Sequence, residues 1–234
     1  VTAPLLAYHS KPAIKSKYLR RVRAHAKADK LVRGVYWEDG KGCAVGCTIH
    51  SNRHEDYEPE LGIPWQLAVI EDNLFEMLPN AQAMTWPDRF LSAITPGADL
   101  SMVGKRWLAW LVRDTAGASR DDAERAIVLR MADLMDRSIA GDEPTREQWD
   151  SVARAARAAR AAWAAWAAWA AWAAWAAWAA WDAWDARDAW DAWDAWDADK
   201  AVIRMSEKLL ELLTLAPLPG PPQPRPHKGK SHGC

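Results

Sequence analysis

Through most of residues 1–142, apolar positions recur three or four apart, the spacing that lays a single stripe along a helix. Ser10 and Pro12 stand ahead of Ile14, Tyr18, Val22 and Val32, which marks a first helix. Pro64 opens a second, whose stripe is Leu67, Ile70, Leu74, Met77 and Leu78. Thr85 with Asp88 reads as a capping box for a third. Val103, Trp107, Trp110 and Leu111 outline a fourth, and Ser119 with Asp122 caps a fifth that faces inward through Ile127, Met131 and Leu134. Only Val35, Tyr36 and Trp37 look β-like, and three residues before a glycine-rich loop are not expected to make a sheet. The fold class is therefore all-α, with about five helices in a globular part at 1–142.

Beyond it the pattern changes. Thr145 and Gln148 form a further capping box, and neither Gly nor Pro occurs again before Pro217. Residues 143–200 are an Ala/Trp/Asp/Arg low-complexity arm, 201–216 a closing amphipathic helix with Val202, Leu209, Leu210 and Leu213, and 217–234 a Pro-rich tail expected to be disordered. Alanine is the best helix former, so an unbroken helix here would be about 100 Å long. A helical hairpin is the alternative, although no turn residue marks one.

From Arg154 to Trp196 every third residue is Trp or Arg, with Ala or Asp between, as slippage of a nine-base unit would leave it. Eleven of the seventeen tryptophans lie in residues 163–196, so average composition describes neither half. On a helix, steps of three drift by about 60° per repeat, so the indoles wind around the axis and form neither a stripe nor a heptad seam. Arg154, Arg157 and Arg160 stand at one end of the tract and Asp182 to Asp197 at the other, both against the helix dipole. Two such arms placed antiparallel set Arg opposite Asp, which predicts self-association through 154–197. Residues 161–181 carry no charge and could span a bilayer, but Ala inserts weakly and Trp prefers the interface, so a soluble arm is the expectation.

The net charge of −1 gives no overall bias toward nucleic acid or acidic lipid. Three cysteines and no apolar leader point to a reducing compartment, the cytoplasm. Val1 fits a literally translated GTG start codon, and a truncated piece would begin the same way.

Candidate chemistry concentrates at Cys43, Cys47, His50 and His54, followed by Glu55 and Glu58. Offsets of 0, 4, 7 and 11 would set the four on one helical face as zinc or iron ligands. One ion cannot reach all four, because the outer pair would be about 16 Å apart, but adjacent pairs could chelate with help from elsewhere. The other readings are a reactive thiol, or two small buried cysteines beside Gly42, Ala44 and Gly46, where a neighbouring helix comes close. The first helix carries Lys15, Lys17, Arg20, Arg21, Arg23, Lys27, Lys30 and Arg33, a face for water, for the acids at 55–60, for nucleic acid or for a membrane surface. His9 and His25 are read as structural, and His227, His232 and Cys234 as incidental metal binders.

Residues 36–50 (YWEDGKGCAVGCTIH) and 57–64 (YEPELGIP) resemble a group of bacterial and phage proteins of unassigned activity. The likeness runs over residues 8–114, the Ala-rich extension and the closing KLLELL of 208–213. It implies a bacterial or phage origin and this domain layout, and assigns no residue a role. The expected function is a non-catalytic assembly protein. The alternatives are a metal- or thiol-dependent enzyme or sensor at the Cys/His segment, with Glu55 or Glu58 as ligand or base, and nucleic-acid binding by the first helix.

Overall fold

The computed structural model describes residues 5–119, 121–158 and 198–220. The repeats at 159–197 lie outside it, as does the tail from 221, and so do the expectations of an unbroken arm and of a bilayer-spanning 161–181. Among the described residues no helix is long and apolar enough to cross a membrane.

The described chain is all-α apart from one short hairpin. Its helices are α1 (Pro12–Lys27), α2 (Ala44–Ile49), α3 (Tyr57–Leu61), α4 (Trp65–Met77), α5 (Asn80–Ala83), α6 (Trp86–Ala93), α7 (Val103–Ala118), α8 (Asp122–Ile139), α9 (Arg146–Ala158) and α10 (Ala198–Thr214). Residues 1–142 thus hold more and shorter helices than the five expected, because α2, α3 and α5 are too short to show a stripe. Pro12 and Pro64 sit at the starts of α1 and α4, where a missing N–H costs nothing. Thr145 and Gln148 do form the reciprocal box at the start of α9, each backbone N–H bonded by the other's side chain. The box expected at Thr85 is absent: its hydroxyl turns back to the Gln82 carbonyl, and Asp88 is taken by Arg23. The cap of α8 is Asp121, which accepts from the N–H groups of Ala123 and Glu124.

A sheet does form, contrary to the sequence reading. Strands β1 (Trp37–Glu38) and β2 (Lys41–Gly42) pair antiparallel across Asp39 and Gly40. Both turn residues have positive φ, the two-residue hairpin that Asp-Gly favours. The Tyr36 carbonyl oxygen lies so close to both β2 and α2 that a Cβ on Gly42 of β2 or on Gly46 of α2 would overlap it. The glycines therefore do admit a close neighbour, but it is an extended segment and not a helix.

The apolar residues form two clusters that share α7. The larger packs α1, α2, α3, α4, α6, the first half of α7 and α10 around Trp86, Trp107, Phe75 and Phe90. The smaller packs Ala109, Val112 and Ala116 of α7 against Ile127, Met131 and Met135 of α8 and Trp149, Val152 and Ala156 of α9. The buried stripe of α10 is Val202, Met205, Leu209 and Leu213, each worth about 1.5–3 kcal/mol on removal from water. Trp107 adds a bond from its indole N–H to the Met205 carbonyl at 3.0 Å.

Two glycine substitutions test this packing in opposite directions. Gly46→Ala is expected to lower the unfolding free energy by about 1–3 kcal/mol, as overpacking does. Gly117→Ala, in α7 with open space around it, should raise stability by about 0.5–1 kcal/mol. Urea midpoints at constant m-value check both.

Candidate functional site

The hairpin, α1, α2 and the 54–72 region meet where the sequence placed its chemistry, but they do not bring the four proposed ligands to one point. The helical face that would have carried them ends early, since α2 stops at Ile49 and His50 is left-handed at φ 58°. Cys43 caps α2 through a bond from the Gly46 N–H to its Sγ at 3.4 Å. The Cys47 Sγ–H points to the carbonyls of Gly42 and Lys30, at 3.3 and 3.4 Å. Both thiols are buried and free. Burial, then the carboxylate of Asp72 beside it, pushes the Cys43 thiol far up. Burial pushes Cys47 to about 11. The thiolate and not the thiol is the nucleophile, so burial works against a reactive cysteine at either position.

The two histidines part company. His54, mostly buried, meets the Asp72 Oδ2 at 3.2 Å and sets its edge to the Tyr36 ring. His50 turns outward, stacks on Trp37 with ring centres 4.3 Å apart, and meets His25 at 2.8 Å between Nε2 atoms. Glu55 is exposed, while Glu58 accepts from the Trp65 N–H at the start of α4. Among the described residues no three His, Cys, Asp or Glu side chains converge as a metal ion requires.

Beneath Asp72 lies a group the sequence reading passed over. Glu71 is wholly buried, accepts a 2.7 Å bond from the Tyr57 hydroxyl, and leaves Oε1 without a partner. Burial raises its carboxyl well above the usual range, the Tyr57 bond opposes this in part, and the charge of Asp72 raises it further. Burial and Glu71 in turn lift Tyr57 and Tyr8. The signal was available: Glu71 follows Leu67 by four and precedes Leu74 by three, so it sits on the apolar stripe of α4.

The basic residues of the first helix are largely engaged within the molecule. Lys15 donates to the carbonyls of Ser92 and Ile94 where α6 ends, at 2.6 and 2.7 Å. Arg21 donates to the Thr48 carbonyl in the last turn of α2 at 2.8 Å, and Arg33 to the Leu78 carbonyl that closes α4. Lys17 pairs with Glu60 and Arg23 with Asp88. Helix carboxyl ends carry partial negative charge and orphan carbonyls, so each cation there contributes about 0.3–1 kcal/mol. His9 is likewise internal, with Nε2 3.0 Å from the Pro59 carbonyl.

A cavity of about 430 Å³ lies elsewhere, between α8 and α9, lined by Arg130, Arg137, Glu147 and Gln148 among others. Comparison with protein-family models, with curated proteins and with solved structures returns no match to this chain, and nothing in these comparisons bears on the resemblance carried by residues 36–64.

A carboxyl whose folded pKa is raised holds its proton more tightly in the folded than in the unfolded state. The stabilisation is complete below the ordinary 4.5 and is lost as pH rises toward the folded value. Urea titrations of the parent and of Glu71→Gln are therefore expected to diverge from about pH 5 upward, the parent losing up to about 1.4 kcal/mol per pH unit more than the variant. Parallel curves would mean that Glu71 is not held protonated.

Proposed function

We propose that this chain is a non-catalytic assembly protein, a helical body that holds both ends of its tryptophan repeats and joins a second copy through them. The observation that carries this reading is that both helices bordering residues 159–197 are built into the body. α9 enters the smaller cluster through Trp149, Val152 and Ala156, and α10 enters the larger through Met205, Leu209 and Leu213. Arg204 of α10 bonds Asp114 of α7, and Glu207 bonds Arg89 of α6. Both helices that border the repeats are thus packed into the body.

The sequence of the insertion supplies the rest of the argument. Indoles at every third position with alanine between them offer apolar surface and close approach, and Arg at one end with Asp at the other is self-complementary in an antiparallel pair. Free thiols at Cys43 and Cys47 suit the cytoplasm. The thiol-dependent reading draws less support because both thiols are buried with raised pKa values, and the metal-dependent one because the ligand candidates are dispersed. Nucleic-acid binding through α1 would have to draw on cations that already brace other helices.

Replacing residues 161–197 by a flexible Gly/Ser linker tests the reading. Sedimentation at micromolar concentration is expected to show a dimer or larger species for the parent that dissociates as salt is raised, and a folded monomer for the variant. A parent that sediments as a monomer at low salt, or a linker variant that keeps the parent's oligomeric state, would overturn it.

A further inference from the structure

The cavity between α8 and α9, at about 430 Å³, is as large as the pockets that hold small ligands, about 300–1,000 Å³. Leu134 of α8 and Val152 of α9 give it an apolar floor. On the α8 wall Arg137 is held by Asp142 and Asp133 by Arg113, yet Arg130 is exposed and bonds no other described residue. On the α9 wall Gln148 is engaged in the box with Thr145, while Glu147 is exposed and likewise unbonded among the described residues. A guanidinium and a carboxylate thus stand on opposite walls of one cavity without pairing with each other.

We infer, resting on the assembly reading above, that this cavity seats the Trp-Asp units of a second copy's repeats. A Trp-Asp pair carries what the cavity lacks: a flat apolar ring for Leu134 and Val152, an indole N–H for the Glu147 carboxylate, and a carboxylate for the Arg130 guanidinium. The sequence offers this unit five times within residues 181–197, at Trp181-Asp182, Trp184-Asp185, Trp190-Asp191, Trp193-Asp194 and Trp196-Asp197. From Trp163 to Trp178 the repeat is Trp-Ala-Ala, which supplies the ring without the charge.

Charge also selects the copy that supplies them. In the antiparallel pair the Asp-bearing end of the second copy lies at the Arg end of the first. That end begins at Arg154, exposed on α9 two residues past Val152, or about 3 Å further along the helix. The pairing of Arg with Asp therefore brings the second copy's Trp-Asp units beside the cavity. By twofold symmetry the contact is made twice, each cavity being filled by the other chain.

The test uses the full chain. Arg130→Glu sets a like charge against the Asp of each unit, and sedimentation at low salt is expected to show dimerisation weakened at least about tenfold. Arg20→Glu makes the same change of net charge on the exposed face of α1, outside the smaller cluster, and should leave the dimer as it is. In a second measurement p-benzoylphenylalanine replaces Ser151, on the cavity wall, in a mixture of isotopically light and heavy copies. Ultraviolet cross-linking read by mass spectrometry is expected to join that position to residues 181–197, with light-to-heavy links present. A parent that is monomeric at low salt would overturn the assembly reading and this inference with it. A parent that dimerises while Arg130→Glu and Arg20→Glu behave alike, or cross-links confined to one isotope or to other segments, would overturn the cavity assignment alone.

Discussion

The Tyr36–Trp37 backbone lies in contact with α2, and the arrangement of this region depends on that contact. Gly42 and Gly46 make it possible, since any side chain at either position would occupy the space of the Tyr36 carbonyl. With the strand pressed there, the Cys43 N–H bonds the Val35 carbonyl at 2.6 Å, and Cys43 becomes the cap of α2. The same contact sets Trp37 against His50 and Tyr36 against His54. A steric allowance of one Cβ at two glycines thus decides which imidazole faces water and which faces Asp72.

The basic side chains of α1 and of the loop after it work on a longer range. Lys15, Arg21 and Arg33 each end on a carbonyl at the carboxyl end of a different helix, α6, α2 and α4. What looks in the sequence like a solvated or nucleic-acid-binding face is in good part a brace that ties three helix ends to one helix and the loop that follows it. Each bond is individually modest, but three orphaned helix ends are satisfied from one stretch of chain.

The longer helices were legible because their stripes are long enough to count. Leu67, Ile70 and Leu74 of α4, and Ile127, Met131 and Leu134 of α8, are buried as their spacing requires. The hairpin was missed because its strands are two residues each, although Asp39-Gly40 is the dipeptide that such a turn prefers. At the candidate site the four Cys and His residues were correctly seen as close in sequence. Their separation depends on where α2 ends, and the left-handed His50 that ends it has no marker in the sequence. The partners His25, Trp37 and Asp72 come from other elements, so no local spacing could have paired them. Glu71 was within reach, as a carboxylate on an apolar stripe.

The position of α10 also governs when the protein can finish folding. Ala201, Val202, Met205, Leu209, Leu213 and Ala216 close a core whose other members lie between Ala7 and Trp107. The indole of Trp107 waits for a carbonyl 98 residues further along the chain. During synthesis that core stays open until the repeats have been made, and residues 159–197 alone occupy a ribosome for about 2–8 s at ordinary elongation rates. Each repeat in the tract adds to that delay, because it must be made before the residues that close the core.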